Sequence, residues 1–282
     1  MFVDARELFR LKSLADAHAI SFEWHGYVPE FLVYAADGKV SRLDLSGLLI
    51  DVSDGKTCVG RFAHDGYMPC PGRLPVNGYA QCQGCAGAFI PQLSCVFEPR
   101  CSGELCPDAQ FCRREHKVYL AFLGDKPKIG MTSTRRLMRR IIEQGADAYS
   151  VVATAGNRMS ARKFEKEIGS AMKLRQGYRA EDILAGYASN DWEKIGHTYE
   201  SLKQDIESRF EIRLGELNFI DRYPLSLPLS GVPRRVETAG IHSGKVTGIK
   251  GRFMIYENDG GLRALDLADI VARNVRSEIH PV

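Results

Sequence analysis

Eight cysteines fall between positions 58 and 112, and the chain has no others. Cys82 and Cys85 form a Cys-x-x-Cys pair, a spacing that lets two thiolates reach one tetrahedral Zn²⁺ at about 2.3 Å each. Four thiolates close a structural zinc site. The simplest partition is therefore Cys58, Cys70, Cys82 and Cys85 in one site, and Cys95, Cys101, Cys106 and Cys112 in another. His64 and His116 are alternative ligands. Disulfides, free thiols and a thioredoxin-like redox pair are the competing readings. No βαβ pattern surrounds the pair, which disfavours the redox reading. The span is also rich in Gly and Pro and poor in periodicity. A stretch this long without regular structure needs a crosslink or a metal to pack.

A second set of residues suits phosphodiester chemistry, which takes a divalent metal, a cation at the scissile phosphate and a base for the attacking water. Glu165 is a hard oxygen ligand for Mg²⁺ or Mn²⁺. Arg140, or Arg139 beside it, can hold a phosphate bidentately. Tyr119 can hold the water, or act as base if its pKa is lowered, and Lys128 can stabilise developing charge. Singly, Tyr119 is an ordinary core aromatic and Glu165 an ordinary solvated helix residue. Their order along the chain carries the reading.

Charge points the same way. Residues 113–180 hold 16 Lys/Arg and 6 Asp/Glu, a net +10 in a chain of net +3, so the rest carries −7. A basic segment on an acidic remainder suits a localised anionic partner, DNA or RNA, with Arg135, Arg136 and Arg139 as the binding face. The alternative is a solvated basic face with no ligand. No apolar run approaches the ~20 residues that span a bilayer. The opening MFVDARELFRLK lacks a signal-peptide core. A cytoplasmic protein without membrane contact is expected.

The elements that must position these residues follow from periodicity. Residues 6–20 have weak helical periodicity, and from Ser21 to Ser53 short β-rich runs alternate with turn signals. VYL and KIGMT read as two strands, the second ending in a corner at Gly130. Thr132, Ser133 and Thr134 offer N-cap hydroxyls to a helix with Leu137, Met138, Ile141 and Ile142 on one face, closed by Gly145. AYSVVATA is a buried strand. Ser160 caps a helix bearing Phe164, Ile168 and Ala171, and Asn190 or Asp191 opens a longer one from Trp192 to Phe210. Residues 221–234, with three prolines, read as an extended linker before a β-patterned tail.

HKVYLAF, KIGMT, RRIIEQGA and NRMSARKFEKEI together resemble the core of the GIY-YIG nucleases, as found in an uncharacterised domain family. That family joins a cysteine-rich, zinc-ribbon-like segment and a small terminal β-unit to such a core. CVGRF, PCP, QCQGC and the tail GKVTGIKGRFMIY extend the similarity over most of residues 55–265. The resemblance implies Tyr119 as candidate general base, Arg140 as phosphate stabiliser and Glu165 as metal ligand. The second-strand tyrosine of the nucleases is Lys128 here. The fold expected is α+β: a β-unit over 1–57, a Cys-rich segment over 58–115, a GIY-YIG-like α/β core over 116–220, and a linker and β-tail over 221–282 packing with the first unit. The function expected is a nucleic-acid-binding protein, either a metal-dependent nuclease or a non-catalytic zinc-stapled binding module. A metal or thiol sensor is the third reading.

Overall fold

The structure is a computed structural model describing residues 10–11, 14–45, 47–63, 66–86, 95, 98–104, 110–189 and 191–277. The described chain opens on seven strands: β1 (Arg10–Leu11), β2 (Leu14–His25), β3 (Val28–Ala35), β4 (Val40–Leu43), β5 (Gly47–Val52), β6 (Arg61–Ala63) and β7 (Gly66–Met68). Next come α1 (Gln110–Arg113), β8 (His116–Leu123), β9 (Lys126–Ser133), α2 (Leu137–Glu143), β10 (Ala148–Ala155) and α3 (Arg158–Ala171). α4 (Ala180–Gly186), α5 (Trp192–Phe210), β11 (Asn218–Phe219) and β12 (Arg234–Arg235) follow. β13 (Gly240–Lys250), β14 (Phe253–Asn258), β15 (Gly261–Asp266), α6 (Leu267–Ile270) and β16 (Asn274–Ser277) complete an α+β fold dominated by sheet. Among the described residues no helix is long and apolar enough to cross a membrane.

The chain divides into two compact units, residues 1–87 with 233–282, and residues 88–232. The first is built on a ten-stranded sheet of order β1-β4-β3-β2-β16-β5-β13-β14-β15-β12. Strands from both chain ends interleave in it. β16 lies between β2 and β5, and β13 pairs antiparallel with β5 from Gly240↔Val52 to Lys245↔Gly47.

Residues 14–20 are strand, not helix. Their composition misleads because Ala and Leu favour helices, but Ala17 and Ala19 alternate with Asp16 and His18 at period two, and both alanines are buried. β6 and β7 pair as a separate hairpin.

The second unit has a four-stranded antiparallel sheet, β11-β10-β8-β9. Val118, Leu120, Phe122 and Ile129 face a core shared with Ala161 and Ile168 of α3 and with Ile195, Tyr199 and Ile206 of α5. β8 is buried at nearly every position, so it reads as an unbroken apolar run rather than an alternation. Asp191 caps α5, accepting from the Lys194 amide at 2.9 Å. α3 is capped by Asn157, whose Oδ1 accepts from the Ser160 amide at 2.8 Å, so Ser160 is the receiving residue and not the cap. No hydroxyl of Thr132–Thr134 caps α2. Thr134 instead donates to Glu115 Oε1 at 2.7 Å, and a turn of 3₁₀ helix over Thr134–Arg136 leads into α2. The segment read as a linker is packed rather than free. Tyr223 and Leu225 are buried, and the Tyr223 hydroxyl donates to the Ala146 carbonyl at 3.0 Å.

Candidate functional site

Gly130 lies inside β9, opposite Tyr119, and not at a corner. The reason is space. A Cβ at position 130 would sit 2.7 Å from the Tyr119 hydroxyl oxygen, so the tyrosine ring lies directly over the glycine. Cross-strand partners share a face, so Tyr119 with Gly130 and Ala121 with Lys128 lie on the side opposite Leu120 and Ile129. Gly130→Ala is expected to cost about 1–3 kcal/mol in chemical denaturation, because the buried ring cannot yield freely. Gly156→Ala, where an added Cβ meets nothing within 4 Å, is the control and should cost little.

Three side chains form a hydrogen-bonded chain on this side. Lys128 Nζ donates to Gln144 Oε1 at 2.7 Å, and Gln144 Nε2 donates to the Tyr119 oxygen at 2.8 Å. Tyr119 is 1% exposed and Lys128 7% exposed, so both are desolvated. Burial pushes the Tyr119 pKa up, while Gln144 and Arg140 pull it down. Burial, then Arg140, lowers Lys128 to about 8, and Glu165 opposes them. Gln144 was not singled out from the sequence. A polar residue at a helix end carries no signal of what it will bridge.

Glu165 is buried on α3. Gly169, one turn on, packs against Ile129 of β9 with only 3.2 Å for a Cβ. Burial raises the Glu165 pKa, and Arg162 and Lys128 lower it. One carboxylate oxygen, Oε2, accepts from Arg162 at 2.6 Å, and Arg162 in turn bonds Glu98 at 3.2 Å. Arg140 and Glu165 each act electrostatically on both Tyr119 and Lys128.

The basic face is organised by an acid the sequence reading did not weigh. Arg136, Arg139 and Arg140 converge on Glu143 at 3.5, 2.8 and 3.8 Å. Glu143 orders three guanidiniums and leaves a net positive charge. Arg135 and Arg136 are exposed, and Arg135 has no ion pair among the described residues.

In the other unit Cys58, Cys70, Cys82 and Cys85 bring their sulfurs within 4.8 Å of one another, a group that could hold a metal ion. A tetrahedral ion with ~2.3 Å bonds needs sulfurs about 3.8 Å apart, and Cys70 and Cys82 already stand at 4.0 Å. Backbone amides serve the sulfurs: Gly60 and Cys82 donate to Cys58 Sγ at 3.4 and 3.2 Å. Gly60 (φ 72) must be glycine, since a Cβ would lie 2.2 Å from the Met68 carbonyl. Amide donation, first from Leu74, lowers Cys70 to about 7. Burial and the neighbouring sulfurs raise Cys85 to about 12.

Of the second expected set, Cys95 and Cys101 are buried and Cys112 half-buried, all as free thiols, and Cys106 lies outside the described residues. Among the described residues these cysteines form no second metal-ligating group. His64 also lies outside the described residues. His116 is buried, with Nδ1 against the Arg114 carbonyl at 2.7 Å, and belongs to no ligand group among them.

A family model described as a protein of unknown function (DUF2797) matches residues 54–272. No curated protein and no solved structure matches the chain.

Proposed function

The chain belongs to the DUF2797 family, and from that premise we propose that it is a nucleic-acid-binding protein whose helical unit is a GIY-YIG-like, divalent-metal-dependent nuclease. The observation that carries the reading is the buried Lys128–Gln144–Tyr119 chain beside Arg140 and Glu165. Desolvated groups with shifted pKa values, gathered beside a basic face, mark a site built for charge. The succession of Tyr on β8, Ile-Gly on β9, Arg on α2 and Glu on α3 supports the GIY-YIG-like assignment.

The roles follow from the contacts. Gln144 occupies a lone pair of the Tyr119 oxygen, which leaves the phenol proton to donate to a phosphate oxygen or to orient the attacking water. Burial keeps Tyr119 a neutral phenol at pH 7, so it positions rather than abstracts. Lys128, largely charged below about 8, stabilises charge developing on the phosphate. Arg140 is exposed at the site rim and contacts the phosphate. Glu165, through Oε1, would hold Mg²⁺ or Mn²⁺, which when bound would neutralise charge on the scissile phosphate. In the other unit the four-cysteine group holds zinc as a structural staple, since a closed set of sulfur ligands suits Zn²⁺ and leaves no open position for chemistry.

Binding without cleavage is the second reading. The observation favouring it is the Arg162–Glu165 pair at 2.6 Å, which competes with a metal for the carboxylate.

One experiment separates them: incubation with single- and double-stranded DNA and RNA, with and without Mg²⁺ or Mn²⁺. The nuclease reading expects metal-dependent products that Glu165→Ala abolishes while binding persists. Binding with no product under any metal leaves the second reading. Either way, log K should fall with log salt at about −0.9 per phosphate neutralised on duplex DNA. The double change Arg136→Glu with Arg139→Glu should flatten that slope and weaken binding across all sequences. Affinity independent of salt would remove both readings.

A further inference from the structure

The ten-stranded unit contains a pocket that the phosphate site does not use. Its volume is about 430 Å³, and His18, Tyr34, Tyr67, Arg73 and Asn274 are among the residues lining it. Several features set it apart from a surface dimple. The Arg73 guanidinium has no hydrogen bond or ion pair among the described residues, and its backbone lies in the left-handed region (φ 42) that side-chain-bearing residues rarely adopt. His18 bonds Asn274 through Nδ1 at 3.2 Å, and its ring also lies against the backbone of Thr57 and Cys58, with Nε2 buried.

Aromatic rings lead outward from this pocket. Tyr34 and Tyr67 have ring centroids 5.0 Å apart, and Tyr67 and Phe62 are 5.2 Å apart. Phe62 ends the run on the β6–β7 hairpin at 53% exposure, with exposed Arg61 next to it. Asp16 at the pocket is already paired with Arg276 at 2.9 Å, so it does not cancel Arg73.

The ligand must satisfy all of these groups. A cation is repelled by Arg73. A small inorganic anion leaves the rings unused, and a neutral aromatic molecule leaves Arg73 unused. A planar ring carrying a phosphate uses both the aromatic rings and Arg73. Exposed rings at successive positions, with cations between, are how proteins take single strands.

We propose that this pocket receives one nucleotide of a single-stranded nucleic acid, its base against Tyr34 and Tyr67, its phosphate on Arg73, and the neighbouring base on Phe62. The inference rests on nucleic acid being the partner, but on none of the residues of the proposed nuclease site.

The test uses the full, metal-replete chain, with uridine and adenosine 5′-monophosphates by calorimetry and a labelled 12-nucleotide single strand by fluorescence polarisation. Arg73→Gly, which suits the left-handed backbone, should weaken mononucleotide binding roughly tenfold or more. Phe62→Ser, at an exposed position, should weaken the 12-mer roughly fivefold or more and leave mononucleotides unaffected. Zinc content and the unfolding midpoint establish that both variants remain folded.

If both variants bind as the parent does while the Arg136→Glu, Arg139→Glu double variant loses the strand, the pocket proposal is overturned and the nuclease-site reading stands. If the double variant binds normally and Arg73→Gly does not, the pocket stands and the other reading falls. Inorganic phosphate competing as well as a nucleotide would overturn the base-binding part. No binding of either probe overturns the proposal whole.

Discussion

Removing the metal from reduced protein with a chelator is expected to unfold residues 57–86 and to lower the thermal midpoint of the sheet unit by more than ~10 °C. Besides Val59, Tyr67, Val76 and Ala80, which pack with Ile20 and Ala272, the segment's core is made of sulfurs. Its buried cluster is Cys58, Cys70 and Cys85, with Val76 and Cys82 packed against them. Its backbone ties include Cys58 to Leu74 at 2.8 Å, Val59 to Ala80 at 2.9 Å, Val76 to Lys56 at 3.1 Å, and Thr57 to Ala272 at 2.8 Å. A structural zinc site supplies on the order of 10 kcal/mol of apparent binding energy, and that energy appears as folding energy when the apo site is not preformed. A fraction of it moves a midpoint by this much. A bound ion would also settle an electrostatic conflict among the four sulfurs. Without it Cys85 is held protonated, its pKa raised to about 12 by burial and by the sulfurs around it. Metal uptake must therefore release protons and weaken as pH falls. Cys85→Ser should behave as the chelated protein does. Elemental analysis finding well under one zinc per reduced chain, or a midpoint indifferent to chelation, would remove zinc from the fold.

The legibility of this molecule in its sequence varied with the range of the interaction. Clustering and a Cys-x-x-Cys pair pick out Cys58, Cys70, Cys82 and Cys85, because metal ligands announce themselves by residue type. Helix α5 is legible because its apolar face recurs at 3.6 residues behind an aspartate cap. Readings that relied on one residue's habit fared worse. Glycine usually punctuates, which suggests a corner at Gly130, whereas its role is to leave room for the Tyr119 ring on the neighbouring strand. Ser160 was taken as a cap because serine often is one, but Asn157 three residues earlier does that work. Residues 6–20 carry a weak helical periodicity, but 14–20 pair in a ten-stranded sheet instead. Gln144, Glu143 and the pocket beside the metal loop left no local trace. Each depends on side chains far apart in the chain meeting at one place, which periodicity and spacing do not encode.

Lys128→Met is expected to make the protein more stable at pH 7 by about 1–3 kcal/mol while weakening its hold on phosphate. The wild-type ammonium is buried, its hydrogen bond runs to a neutral amide, and it has no ion pair among the described residues. Its pKa falls from the usual 10.5 to about 8, chiefly through burial and secondarily through Arg140. A unit of pKa is worth about 1.4 kcal/mol, so holding the charged form in the folded state costs up to ~3 kcal/mol at neutral pH. Methionine matches the length, fills the space without charge, and leaves Gln144, only half-buried, free to bond water. The sign of the pH dependence follows. Below about 8 both folded and unfolded chains carry the proton, and the wild type bears the full penalty. Between about 8 and 10.5 the folded chain has lost the proton while the unfolded chain keeps it. Wild-type stability therefore rises with pH across that window relative to the variant, and the gap closes. Denaturation series at pH 7 and pH 10 measure it directly. A variant that is less stable at pH 7, with a difference flat in pH, would make Lys128 a structural residue and remove it from the site. A variant that is more stable yet binds nucleic acid more weakly identifies a charge kept against the interests of the fold, which is the mark of a residue retained for what it does to a ligand.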